Sequence, residues 1–228
     1  MDSDKITIDF VENPHKSPWR HLEYFINAIN QFLIGFVTIY LSWWCLSQGL
    51  KGITLHAWLC TIGFSFLMAE GLMTHYNGNT FLLSYKRKSR TTIHWILQAL
   101  GGAIGIAGGV IEMCRMDVHF VTIHGKLGFS AIILCAVSMI SGLSALFPRW
   151  LRKIISPLLN KTVHNVLGVG TFAIALVAQY YGYQSWSFEL SVQPDFRYTM
   201  EVITLTSLVL TCLGPLISLW YRIMNCME

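Results

Sequence analysis

The stretch HFVTIHGKLG, residues 119–128, decides how this chain is built. It opens an apolar run that continues to Leu146, and a bilayer core ~30 Å thick takes about 20 helical residues to cross. Yet its first turn carries an imidazole, His124. Ionisable groups are costly in lipid and usually mark a functional path. Outward from this run the pattern repeats. Six segments are long and apolar enough to span: Phe25–Leu46, Ile53–Met73, Thr92–Cys114, Phe120–Leu146, Thr162–Tyr181 and Met200–Tyr221. The 228 residues are 54% hydrophobic and only 12% charged, against about 25% charged in soluble domains, so no soluble domain is left over. The expected fold is an all-α integral membrane protein, a six-transmembrane helical bundle with helices 2–5 as its central four-helix core. A polar tail, 1–22, precedes the transmembrane domain, 23–222, and a short tail, 223–228, follows it.

Charge sets the expected orientation. Twelve Lys and Arg fall on the face that holds both termini, among them Lys86, Arg87, Lys88, Arg90, Arg149, Arg152 and Lys153, against three on the other face. The positive-inside rule then puts both termini in the cytoplasm. Trp43, Trp44 and Trp58 are expected at the outer interface and Trp95, Trp150 and Trp220 at the inner one, as aromatic belts require. The N-terminus lacks the apolar core and cleavage site of a signal peptide. The one sequon, Asn160-Lys161-Thr162, falls on the cytoplasmic side. Six cysteines without a CxxC pair argue against a disulfide framework, and the net charge of +4 is spent on topology, not on nucleic acid. The C-terminal NCME has its cysteine one place too late for prenylation.

Four of the eight histidines lie inside helices: His56, His94, His124 and His164. Each stands within about one turn of its helix's N-terminal end. Helices two and four run inward, so His56 and His124 share a depth near the outer face; helices three and five run outward, so His94 and His164 share one near the cytoplasm. The two layers are expected ~20 Å apart along the membrane normal, given a ~30 Å core and one 5.4 Å turn of inset at each side. Below the histidines at helical spacing lie small residues: Gly128, Ala131, Cys135, Ser138 and Gly142 below His124; Gly168, Ala175, Ala178 and Gly182 below His164; Gly101, Gly105 and Gly108 below His94; Cys60 and Gly63 below His56. Close helix packing uses such stripes. Coupled to histidines, they are read here as clearance for a flat ligand.

Haem fits that reading. Imidazole is a good iron ligand, and two per iron fill both axial positions, which suits electron transfer rather than substrate binding. Zinc would lack its third and fourth ligands. No CxxCH is present, so the expectation is two haem b groups held without thioether bonds.

TLHAWLC, SRTTIHWILQ, VTIHGKLG and TVHNVLG, with FSFLMAEG and its Glu70, resemble the ligand segments of the cytochrome b561 family in order and spacing. The likeness covers helices two to five and is nearest to the short stand-alone animal type. It implies a transmembrane ascorbate-dependent ferrireductase of endomembranes, such as the endoplasmic reticulum or vesicles. Cytoplasmic ascorbate would be the donor, and monodehydroascorbate radical or ferric iron the acceptor. It makes His56 and His124 the outer-haem ligands and His94 and His164 the inner ones. Where many members carry a Tyr-Arg pair after the second helix, this chain has His75 and Tyr76.

For the anionic donor, Lys86, Arg87, Lys88, Arg90 and Arg152 offer a positive surface near His94. For the acceptor, Glu112, Asp117 and His119 gather at the outer rim. Lys126 either snorkels outward or meets a haem propionate, and Glu70 is expected towards the inner haem. A homodimer is compatible with this layout. The alternative from another class is a proton-coupled transporter with a His/Glu relay, which would call for broken helices or inverted repeats; a membrane chaperone leaves the four histidines unexplained.

Overall fold

In a computed structural model, residues 18–147 and 155–227 are described. They form six long helices: α1, Pro18–Gln48; α2, Ile53–Met73; α3, Arg87–Arg115; α4, Ile123–Leu146; α5, Pro157–Tyr183; and α6, Pro194–Met227. All six are long and apolar enough to cross a membrane. α1, α3, α5 and α6 extend past their expected apolar windows. α4 instead starts three residues later than Phe120. Thr122 caps it by accepting from the Gly125 amide at 3.0 Å, the side-chain cap such residues favour. Ser156 caps α5 in the same way through the Leu159 amide, with Pro157 at the first helical position.

Short connections reverse the chain at each end. Between α1 and α2 the turn takes positive φ at Gly49 (84°) and Gly52 (60°), a conformation open to glycine at no steric cost. The two chain termini therefore leave from one end of the bundle, called the terminal end here. α2–α5 form the centre, and α1 and α6 flank them. Phe64, Met68, Ala131, Cys135, Phe172 and Leu176 make the shared core. Each lies 7 to 12 residues along from its own helix's histidine, so the core sits between the two histidine layers.

α2 is not a uniform α-helix. Thr61–Met68 is π-helical, between α-helical Ile53–Cys60 and Ala69–Met73. π-turns are rare and cluster at functional sites.

The α3 glycines are packing residues, which corrects their reading as clearance for a ligand. A Cβ on Gly63 would lie 2.5 Å from the Gly105 nitrogen and 2.6 Å from the Gly101 carbonyl oxygen, and one on Gly108 would lie 2.8 Å from the Leu59 side chain. Gly102 meets Met139 of α4, and Gly109 meets Ile132. With no Cβ in the way, the α2 and α3 backbones touch, the usual gain of small residues in membrane helices. Gly63→Val is expected to force these backbones apart and destabilise the bundle by about 1–3 kcal/mol; thermal unfolding in detergent should show the loss, and an unchanged transition would refute the contact.

Trp44 also departs from expectation. It is buried, edge-on to Phe188 at 5.1 Å, so it belongs to the core while Trp43, Trp95 and Trp220 stay exposed. Asn160 of the sequon is buried inside α5, its Oδ1 accepting from Ser144 Oγ at 2.9 Å.

Candidate functional site

The four helices bring the histidines together two by two. His56 of α2 faces His124 of α4, with ring centroids 5.9 Å apart and ring planes at 82°. At the terminal end His94 of α3 faces His164 of α5, 6.1 Å apart at 88°. Bonds of about 2.0–2.1 Å from two imidazole nitrogens to one metal ion leave the ring centroids about 6 Å apart.

What each ring does with its other nitrogen decides which atom is available. His56 Nδ1 lies 3.0 Å from the Gly108 carbonyl, His94 Nδ1 lies 2.7 Å from that of Gly71, and His124 Nδ1 lies 2.7 Å from that of Ala178. A carbonyl only accepts, so each Nδ1 carries the proton and donates. His164 Nδ1 meets Ser141 Oγ at 3.0 Å, and that hydroxyl spends its own proton on the Ser138 carbonyl at 2.9 Å. Ser141 therefore accepts, and His164 has the same tautomer. In all four rings the lone pair is left on Nε2, the arrangement that outer-shell acceptors impose on metal-binding histidines.

These anchors follow a rule in the sequence. Gly108 stands 14 residues after His94, Ala178 14 after His164, and Ser138, whose carbonyl holds the Ser141 hydroxyl against His164, 14 after His124. Antiparallel neighbours thus serve each other: α3 orients the histidine of α2, and α4 and α5 orient one another's. Gly71 is the exception, 15 residues after His56. The π-helical stretch between them absorbs the extra residue, because a π-turn holds one residue more than an α-turn. On α4 and α5 the glycines 18 residues from each histidine make room for the partner ring. A Cβ on Gly142 would lie 3.0 Å from His164, and one on Gly182 would lie 3.2 Å from His124. Gly128 has open space at its Cβ position.

A fifth histidine joins the terminal layer. His75, just past α2, lies 5.5 Å from His94, ring to ring. Burial, followed by the neighbouring His94, Arg90, Arg87 and Arg222, pushes its pKa down to about 4. Nothing in the spacing of the other four histidines announces it.

The remaining candidates separate. Lys86, Arg87 and Lys88 are exposed at the start of α3, and Arg90 is half-buried with Nε donating to the Leu82 carbonyl at 3.0 Å. Arg152, with Arg149, Trp150 and Lys153, lies outside the described residues. Lys126 is exposed. Glu70 points to α1, where Gln31 Nε2 donates to it at 3.1 Å, so it does not join the terminal histidine layer. At the far rim Glu112 is taken up by Arg115 at 2.6 Å and His119 lies against Phe120. Among the described residues no three His, Cys, Asp or Glu side chains are grouped to hold a metal ion, which leaves the rim without a ready-made iron site.

With the geometry in place, comparison with known proteins is informative. The model of the eukaryotic cytochrome b561 family matches residues 55–189, which include all four paired histidines. The chain belongs to the cytochrome b561 family. It is 30% identical over 168 residues to the human transmembrane reductase CYB561D2, covering 70% of this chain and 75% of that protein. The bovine protein of the same name is 30% identical over 109 residues, 45% of this chain and 49% of the relative. No solved structure matches. Membership makes this a membrane oxidoreductase of a haem b-binding family, built for electron transport.

Proposed function

We propose that the protein carries single electrons across the membrane through two haem b groups, one between His56 and His124 and one between His94 and His164. Ascorbate in the cytoplasm would supply the electrons at the terminal end. Monodehydroascorbate radical or ferric iron would receive them at the far end, in an endomembrane. One observation carries this reading: two facing imidazole pairs whose Nδ1 protons are all committed, leaving a lone pair on each Nε2. The donor set suits haem iron, since imidazole is a good iron ligand and two imidazoles per iron would reserve the metal for redox. Haem supplies the one-electron chemistry. The chain's residues fix ring tautomer and orientation, and the packed core between the layers keeps water out. The name of the human relative, transmembrane reductase, supports a role in reduction.

A proton relay gains no such support. The hydrogen bonds of the four histidines are local, to the adjacent helix or to Cys60 one turn away, and Glu70 is engaged with Gln31. The spectrum of purified protein tests the proposal directly. Two bis-histidine haems reducible by ascorbate are expected, and a colourless protein would defeat it.

The start of α3 is the proposed approach for ascorbate. Clustered positive charge concentrates an anion near a surface, and Lys86, Arg87 and Lys88 lie six to eight residues before His94. Replacing all three by alanine should raise the ascorbate concentration for half-reduction about tenfold at low salt, with the gap closing as salt screens the charges. Reduction indistinguishable from wild type would confine the cluster to setting topology.

A further inference from the structure

At the terminal end one guanidinium nitrogen is buried with no hydrogen-bond partner among the described residues. It is Nη1 of Arg222, a half-buried residue near the end of α6. Packing sets its position. Asn165, the residue after His164, donates from Nδ2 to the Pro215 carbonyl at 3.1 Å. Gly214 is pressed against Tyr76, where a Cβ would lie 2.9 Å from the ring. α6 therefore descends beside both His164 and the His75–Tyr76 turn. Among the described residues, the titratable groups that interact with Arg222 and His75 are the imidazole of His94 and the cations Arg87 and Arg90. Glu70, the carboxylate at the terminal end of α2, is bonded to Gln31 on α1 instead.

A buried charge without a partner is among the costliest arrangements in a fold. Snorkelling brings a guanidinium to lipid phosphates through its accessible nitrogens; Nη1 is closed to them, while the side chain as a whole is half-exposed. A guanidinium fork matches the oxygens of a carboxylate or similar oxyanion.

We propose that Arg222, with Arg90 and His75, forms a seat for one anionic oxygen group beside the His94–His164 pair. The inference rests on the haem reading above, and that anion comes either from a carboxylate at the edge of the inner haem or from the ionised enediol of the reductant. In both cases Arg222 positions the group and touches no iron ligand.

The test compares haem-loaded, full-length wild type with Arg222→Gln and Arg222→Lys, each first shown to keep its helical content and to run as one species in detergent. Haem per protein, the midpoint potential of the inner haem and the ascorbate concentration for half-reduction are measured. Arg222→Gln is expected to cost about tenfold, the usual scale for a lost charged hydrogen bond, with Arg222→Lys between it and wild type. A rise in the ascorbate concentration alone assigns the seat to the reductant. Loss of inner haem, or a lower inner potential in a dithionite titration, assigns it to the haem carboxylate, because removing a positive charge favours ferric iron. Wild-type values for all three quantities in both variants would overturn the seat. Wild-type protein that carries no iron would instead defeat the haem reading itself, so the two failures are distinct.

Discussion

His124→Ala is expected to leave one haem per chain against the two proposed for wild type, and to slow transmembrane electron transfer by more than about 100-fold. The estimate follows from what is removed. Loss of an outer-shell partner alone costs about 10–100-fold in metal affinity, and here the proposed ligand itself goes. The Ala178 carbonyl loses its donor as well, and the space that Gly182 leaves for the ring becomes a void. The pair at the terminal end, His94 and His164, keeps both rings and both anchors, so the remaining haem should still be reduced by ascorbate. His119→Ala is the control. That ring lies against Phe120 and outside the pairs, and two haems should remain. Absorbance of the two variants beside wild type gives the answer, and a His124→Ala protein with both haems would end the pairing scheme.

The second large effect separates two deletions of a single residue. Removing Ile133, lipid-exposed in α4, turns everything beyond it by about 100°, since an α-helix has 3.6 residues per turn. Ser138, Ser141 and Gly142 would leave the His164 ring, and the inner haem should be lost. Removing Phe66, also exposed but within the π-helical part of α2, should do far less. The deletion brings Gly71 to the 14-residue spacing of the other three anchors, and a regular α-helix then carries its carbonyl to His94. Both haems are expected to stay, with at most a modest loss of stability from the repacked middle of α2. Equal loss in the two deletions would show that the π-turn does not act as the one-residue spacer.

Glu70 and Gly105 illustrate where sequence reading reaches its end. A carboxylate beside an apolar helix end looks the same in the sequence whether it faces a cofactor or a neighbouring helix, and the Gln31 partner lies 39 residues away. A glycine stripe looks the same whether it clears a ligand or lets two backbones touch. Gly105 does the second, with Phe64 against it, while Gly142 and Gly182 make way for imidazoles. His75 and Arg222 carried no periodic signal, because one belongs to a turn and the other to a helix end.

The sequence by itself determined the six spans, the antiparallel order and the sorting of four histidines into two layers. Hydrophobic length and alternation of direction are properties of the chain alone, and they set depth in a membrane. Only the tertiary structure decided which nitrogen of each ring is left over, which carbonyl holds the other, and which glycines give room to what. Those depend on the rotation of one helix against the next, and rotation is set by contacts between residues far apart in the chain, such as Gly63 with Gly105 and His124 with Ala178.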